Sequence, residues 1–152
     1  MENALGYLKK NKERFVSELA EFISIPSVSA LPEHFDDIKK AAAWLKNRMT
    51  LAGIENVEIM ETGGHPSVYG DWLHAGNDKP TVLVYGHFDV QPVDPVDLWD
   101  DNPFSGHVVD DKIHGRGASD DKGSMLIPIL AYESILNSDK SFPINIKFLF
   151  EG

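Results

Sequence analysis

The chain has no cysteine among its 152 residues. Disulfide bonds and thiolate zinc sites are therefore excluded. No apolar run approaches the ~18 residues that a membrane-spanning helix needs, and the N-terminal residues lack the apolar core of a signal peptide. The sequence thus predicts a protein without a membrane partner, and a cytoplasmic location follows as the default.

Basic residues are also scarce, since 14 Lys and Arg stand against 24 Asp and Glu, for a net charge of −10. A nucleic-acid partner needs a basic face, so this balance argues against one. The apolar fraction of 42% is ordinary for a globular protein, and the length suits about one domain.

Three segments carry apolar residues at helical spacing, and several short runs have the alternation or β-rich composition of strands. The predicted helices are Leu8–Ile23, Phe35–Leu51 and Met125–Leu136. The predicted strands are Val57–Glu61, Ser67–Trp72, Thr81–Tyr85, the hairpin Ser105–Val109 with Lys112–His114, and Ile144–Phe150. We expect an α/β fold of three layers, α/β/α, around a mixed, mostly parallel sheet.

The strand Thr81–Tyr85 leads directly into a pair of candidate functional residues. The run is apolar enough for a central strand that is buried on both faces. His87 and Asp89 follow it, and residues two apart in extended chain point to the same side. An imidazole can bind a metal ion while a carboxylate fixes its orientation, and ligand sites in open α/β sheets lie at such strand ends.

A second candidate group follows a glycine-rich loop. Asp120 and Asp121 stand between Gly115–Arg116–Gly117 and a predicted helix start. A carboxylate there can bridge two cations, whereas the alternative role for either residue is a helix N-cap. The loop lacks the patterns of phosphate-binding motifs, so its glycines are better explained by a close approach of the backbone to a site.

Three blocks occur in a fixed order, GHFDV, LWDDNPF and GRGASDDKG. Together they resemble the M20 family of metallopeptidases and deacylases, within which the Asp-rich form is most similar to the carnosinase-like dipeptidases. The resemblance extends more loosely over the whole chain. It implies hydrolysis of a peptide, especially a dipeptide, or of an N-acyl amide bond, with two divalent metal ions. Zinc is the expected metal, with manganese and cobalt as alternatives.

The same resemblance assigns roles to individual residues. His87 is implied as a terminal metal ligand, Asp120 as the carboxylate that bridges both metals, and Asp89 as the catalytic-site carboxylate that orients His87. The peptide bond after Asp120 is expected to be cis. His107 and His114 match no ligand position of the family, and we predict no metal-binding role for them.

The resemblance further implies that residues 1–152 form the N-terminal portion of a catalytic domain. The general base, the remaining ligands and the lid and dimerisation domain of the family would all fall beyond Gly152. Glu151 precedes the expected glutamate pair and is not assigned as the base. We therefore expect a truncated fragment that binds metal weakly and is inactive, and that self-associates through exposed core surface near Ile144–Phe150.

Two other function classes stay open on the sequence. One is another two-metal hydrolase, such as a phosphoesterase, which the acidic loop disfavours because it would repel phosphate. The other is a catalytically silent interaction module.

Overall fold

A computed structural model describes residues 2–152 of the chain. The helices are α1 (Glu2–Lys10), α2 (Lys12–Ile23), α3 (Phe35–Leu51) and α4 (Lys122–Asp139), with short 3₁₀ turns at Pro32–His34 and Val96–Leu98. The strands are β1 (Glu55–Met60), β2 (Ser67–Trp72), β3 (Thr81–His87), β4 (His107–Val109), β5 (Lys112–His114) and β6 (Asn145–Glu151).

The N-terminal helical segment is divided in two, where the apolar spacing predicted one helix. The break falls at Asn11, whose side-chain amide donates to the carbonyl of Tyr7 at 2.9 Å. Asparagine competes in this way with the helical backbone. The second piece ends at Ile23, shortly before Pro26, as predicted. Within residues 2–152, no helix combines the length and the apolar character needed to cross a membrane.

The main sheet has four strands in the order β1-β2-β6-β3. The pairings β1·β2 and β2·β6 are antiparallel, and β3·β6 is parallel. The predicted α/β class and mixed sheet are confirmed, although one pairing of three is parallel where a mostly parallel sheet was expected. The predicted hairpin is also present as β4·β5, with Asp110 and Asp111 both at positive φ in its two-residue turn.

The core lies between one face of this sheet and helices α3 and α4. A Cβ added to Gly70 of β2 would meet Met49 of α3, and one added to Gly86 of β3 would meet Met125 of α4. Both glycines pair with residues on the same face of β6, Phe148 and Phe150, which are themselves buried. Residues 2–152 thus form two of the three expected layers, with helices α3 and α4 on the same face of the sheet.

The strand Thr81–Tyr85 was expected to be central and buried, and this prediction is wrong. β3 lies at the edge of the sheet, and Leu83 and Tyr85 are 57% and 59% exposed. Within residues 2–152, β6 is the only strand that pairs with β3. Residues 83 and 85 of β3 also point away from the face of the sheet that α4 covers.

The segment Ile144–Phe150 was expected to lie near exposed core surface, and the exposed residues belong to the neighbouring strand β3 rather than to the segment itself. It falls largely in β6, which is paired on both sides, and Ile146, Phe148 and Phe150 are buried. The exposed apolar residues of the sheet lie mainly on β3, which pairs with β6, with Met60 of β1 exposed as well.

Candidate active site

His87 is the last residue of β3, so the strand delivers its imidazole to the carboxyl end of the sheet. Its Nδ1 atom lies 2.9 Å from Oδ1 of Asp89. Burial alone would lower the pKa of His87, but the hydrogen bond and the charge of Asp89, together with the charge of Asp121, outweigh it and raise that pKa. Asp89 therefore holds the ring in one orientation, with Nε2 turned toward the opposite side.

Nε2 of His87 faces the carboxylate of Asp120, with 3.2 Å between Nε2 and Oδ1. The side chain of Asp120 is largely exposed, so this side of the imidazole opens to solvent. The structure thus brings His87, Asp89 and Asp120 together as the sequence predicted, with Asp89 on the nitrogen away from the open side. Their chemical roles remain predictions.

The side chain of Asp121 does not cap α4, although the sequence left a helix N-cap open as its role. Asp121 occupies the N-cap position of α4 without a side-chain capping bond. Its Oδ2 instead accepts a hydrogen bond from the main-chain N–H of His87 at 3.2 Å. Asp121 therefore ties the start of α4 to the end of β3. The peptide bond between Asp120 and Asp121 is cis, as the resemblance implies.

The segment after α2 supports Asp89, a role that sequence reasoning missed. The hydroxyl of Ser29 donates to Oδ2 of Asp89, and the hydroxyl of Ser27 donates to the carbonyl of Phe88 at 2.6 Å. Nε2 of His65 lies 3.1 Å from the carbonyl of Ser29. No local signal in the segment that contains Ser27 and Ser29 points to a partner 60 residues away.

The glycine-rich loop is packed closely against its surroundings. Arg116 donates to the carbonyl of Pro92 and lies over the ring of Trp99, so it braces the loop. Gly117 has φ +85, and a Cβ there would come within 2.6 Å of Val90. A larger residue at Gly117 would be strained and would also clash, so the backbone of the loop packs closely against Val90.

Lys122 lies directly behind this loop and is fully buried. Its ammonium donates to the carbonyls of Phe22, at 2.9 Å, and Ile25, at 2.6 Å. Burial lowers the pKa of Lys122 to about 7. No pattern in the sequence predicts a buried lysine here, because lysine side chains are usually exposed.

The paired donors suit part of a metal site. Zinc ligands at about 2.0–2.1 Å in tetrahedral geometry lie roughly 3.3 Å from each other, and Nε2 of His87 and Oδ1 of Asp120 are 3.2 Å apart. Imidazole nitrogen and carboxylate oxygen are both donors that zinc accepts. No group of three or more such donors is assembled anywhere in the part of the chain described, residues 2–152. The residues present thus fit two ligands of a metal ion and no more.

Comparison with known proteins agrees with this geometry. The family described as Peptidase family M20/M25/M40 matches residues 83–152, which include His87, Asp89 and Asp120. The solved structure of human carnosine dipeptidase 1 superposes on 99% of the chain with a TM-score of 0.87 and 31% identity. The chain belongs to the M20 peptidase family.

Two sequence relatives of the chain are dipeptidases. The chain is 37% identical to the Cys-Gly metallodipeptidase dug1 of Schizosaccharomyces pombe over 95% of its own length and 32% of that protein. It is 34% identical to the Beta-Ala-His dipeptidase of Mus musculus over 100% of its own length and 33% of that protein. The chain therefore spans about a third of the length of the curated relatives it matches.

Proposed function

We propose that this chain contributes the His87–Asp120 part of a two-metal site that hydrolyses dipeptides, or amide bonds of N-acyl amino acids. The observation that carries the proposal is that Asp89 and Asp120 contact different ring nitrogens of His87. Oδ1 of Asp89 lies 2.9 Å from Nδ1 of His87, and Nε2 of His87 is directed at Asp120 on the open side of the ring. That arrangement is how a carboxylate orients a histidine for metal binding.

In this proposal the metal ions are zinc, with manganese or cobalt as alternatives. His87 and Asp120 would hold them, and bound metal would polarise the scissile carbonyl and lower the pKa of a water molecule. Asp89 would keep His87 in the tautomer whose Nε2 carries the free lone pair. Asp121 would fix the position of Asp120 relative to His87, because it follows Asp120 in the chain and accepts a hydrogen bond from the main-chain N–H of His87.

No residue between 2 and 152 is assigned as general base. Glu151 lies in register with His87 across β3·β6, but its carboxylate accepts a hydrogen bond from the hydroxyl of Tyr85. We propose that residues 1–152 are the N-terminal portion of a catalytic domain, which agrees with their coverage of about a third of the relatives. A cytoplasmic location stays a prediction of the sequence.

Phosphoester hydrolysis is the weaker alternative. The groups within reach of His87 are the carboxylates of Asp89 and Asp120, and Asp121 adds a third negative charge that acts on the same imidazole. An anionic phosphate would be repelled by this set, whereas a peptide carbonyl carries no net charge.

Zinc titration of the 152-residue chain tests the site, with binding followed by the main-chain amide NMR signals of Phe88 and Asp89, which every variant retains. We expect weak binding that disappears in His87→Ala and falls strongly in Asp120→Asn, because so few ligands leave the ion largely solvated. Wild-type affinity equal to that of His87→Ala would overturn the proposed site.

Activity is measured in parallel on dipeptides, N-acyl amino acids and a phosphate monoester, with zinc or manganese. These 152 residues alone should show no turnover above background, because they hold two ligands and no assigned base. Robust dipeptide turnover that vanishes in His87→Ala would mean that the site is complete in this chain. Turnover of the phosphate monoester would favour the alternative.

A further inference from the structure

Lys122 stands at the unfavourable end of its own helix. It is the first residue of α4, where the helix dipole is positive, and the first turn of α4 contains no acidic residue. A lysine there is destabilising, and burial of its ammonium adds a desolvation cost. Such a local conflict is expected where a residue serves a site.

The ammonium of Lys122 is instead satisfied at the favourable end of another helix. Its two acceptors, the carbonyls of Phe22 and Ile25, belong to the last turn of α2 and to the residues just after it. Carbonyls at a helix C-terminus lack intrahelical partners and carry the negative end of the dipole. The ring of Phe22 adds a cation–π contact at 5.0 Å.

These contacts join the two segments that carry the carboxylates around His87. On one side, the carbonyl of Ile25 also accepts from the N–H of Ser27 at 2.8 Å, and the chain runs on to Ser29, which donates to Asp89. On the other side, Lys122 follows Asp120 by two residues. Its aliphatic chain also lies against Gly117, where an added Cβ would be 3.4 Å from Cδ.

We propose that Lys122 is a positioning residue of the metal site. By bonding the end of α2 to the start of α4, it fixes the loop that carries Asp120 relative to the segment whose Ser29 donates to Asp89. The inference rests on the proposed function, since it assigns Lys122 to the same site. It requires the ammonium group itself, as a donor to two carbonyls, and not merely a side chain that fills the space.

The absence of cysteine in the sequence permits a direct test. Lys122→Cys places the only thiol of the chain at this position. Alkylation of the unfolded protein with 2-bromoethylamine, in which the thiolate displaces bromide, rebuilds an ammonium on a side chain of nearly the same length. Alkylation with 1-bromopropane gives a matched side chain of that length without the ammonium. Both products are then refolded.

Zinc affinity is measured on the folded fraction of each product from the NMR signals of His87, and folding is checked by circular dichroism. The aminoethyl product should bind zinc within about twofold of wild type. The propyl product should bind about 10-fold more weakly, at the lower end of the effect of residues that support metal ligands. Equal affinities in two folded products would overturn the inference, because a space-filling role predicts that result.

A measurement on the wild-type chain covers the case in which the propyl product does not refold. If the contacts of Lys122 favour metal binding, metal binding must strengthen those contacts by the same factor. Zinc should therefore slow the exchange of the Lys122 ammonium protons with water, along the same titration curve as the His87 signals. Unchanged exchange at saturating zinc would overturn the inference. Zinc binding no tighter than in His87→Ala would instead reject the proposed function.

Discussion

His87 and Asp89 are joined by a hydrogen bond of 2.9 Å between Nδ1 and Oδ1, and this bond decides which ring nitrogen is available. The open nitrogen, Nε2, is the one that meets Asp120. Asp89 is in turn held by the hydroxyl of Ser29. The orientation of the imidazole thus depends on a chain of contacts that begins in the segment after α2.

Asp89→Asn should weaken zinc binding about 10-fold, because the neutral amide orients and polarises the imidazole less than a carboxylate does. The change is measured by zinc titration of both proteins under the same conditions. Asp101→Asn is the matched control, since Asp101 makes a similar contact of 2.9 Å with Nδ1 of His107 on the hairpin. An equal loss in both variants would show a general effect of charge, and not an effect of the His87 orientation.

Gly123→Ala should destabilise the protein by about 1–3 kcal/mol and disturb the Asp120 loop. A Cβ at Gly123 would lie 2.0 Å from the carbonyl oxygen of Ala118, so the loop or the helix must move. The measurement is urea unfolding with zinc titration of the folded variant. Gly6→Ala is the control: it lies within α1 with nothing within 4 Å of the new Cβ, and should stabilise by about 0.5–1 kcal/mol.

Glu133→Gln should lower the free energy of unfolding by about 3 kcal/mol at pH 7. Glu133 is buried in α4 and accepts hydrogen bonds from Arg14 of α2, Arg48 of α3 and Tyr7 of α1. Loss of its charge leaves the buried guanidinium of Arg48 with one carboxylate partner where it had two, since only Glu18 still accepts from its Nε, at 2.8 Å. Lys39→Gln, which removes an exposed partner of Asp36, should change stability by less than about 0.5 kcal/mol.

The stability supplied by Glu133 should also depend on pH. Burial alone would raise its pKa, but the hydrogen bonds from Arg14, Arg48 and Tyr7 outweigh burial and lower the pKa below its ordinary value of 4.5. Its contribution is therefore fully present above the unfolded-state pKa and is lost as pH falls through the lower folded-state pKa. Urea unfolding at several pH values should show the difference between wild type and Glu133→Gln shrinking below about pH 4.5. A constant difference would contradict this account.

The exposed β3 strand should promote self-association of these 152 residues. It presents an unpaired edge with Leu83 and Tyr85 more than half exposed, and such edges pair with other chains. Leu83→Lys should shift the protein toward monomer in sedimentation velocity at high concentration. Val108→Lys, at a similarly exposed residue of the small hairpin, should not. A wild-type chain that is strictly monomeric would refute this prediction.

The sequence alone determined much of the local structure and the identity of the candidate ligands. Apolar spacing placed the helices and strands, because burial of one face imposes a period on the chain. His87 and Asp89 lie two residues apart at the end of a strand. The sequence therefore predicts that their side chains point to the same side, because successive side chains of an extended chain alternate. The order of the three motif blocks indicates the M20 family without any information on geometry.

The segments that support those ligands, and the strand that forms an edge, follow from how distant parts of the chain pack together. Lys122 bonds carbonyls 97 and 100 residues away, and Ser29 bonds a carboxylate 60 residues away. No period in the sequence encodes such pairs, because a main-chain carbonyl is present at every residue and becomes a partner only by proximity. Likewise, the apolar run of β3 indicates a strand that can be buried on both faces, but burial depends on what packs beside it. In residues 2–152, β6 pairs with one edge of β3, and residues 83 and 85 of β3 remain open to solvent.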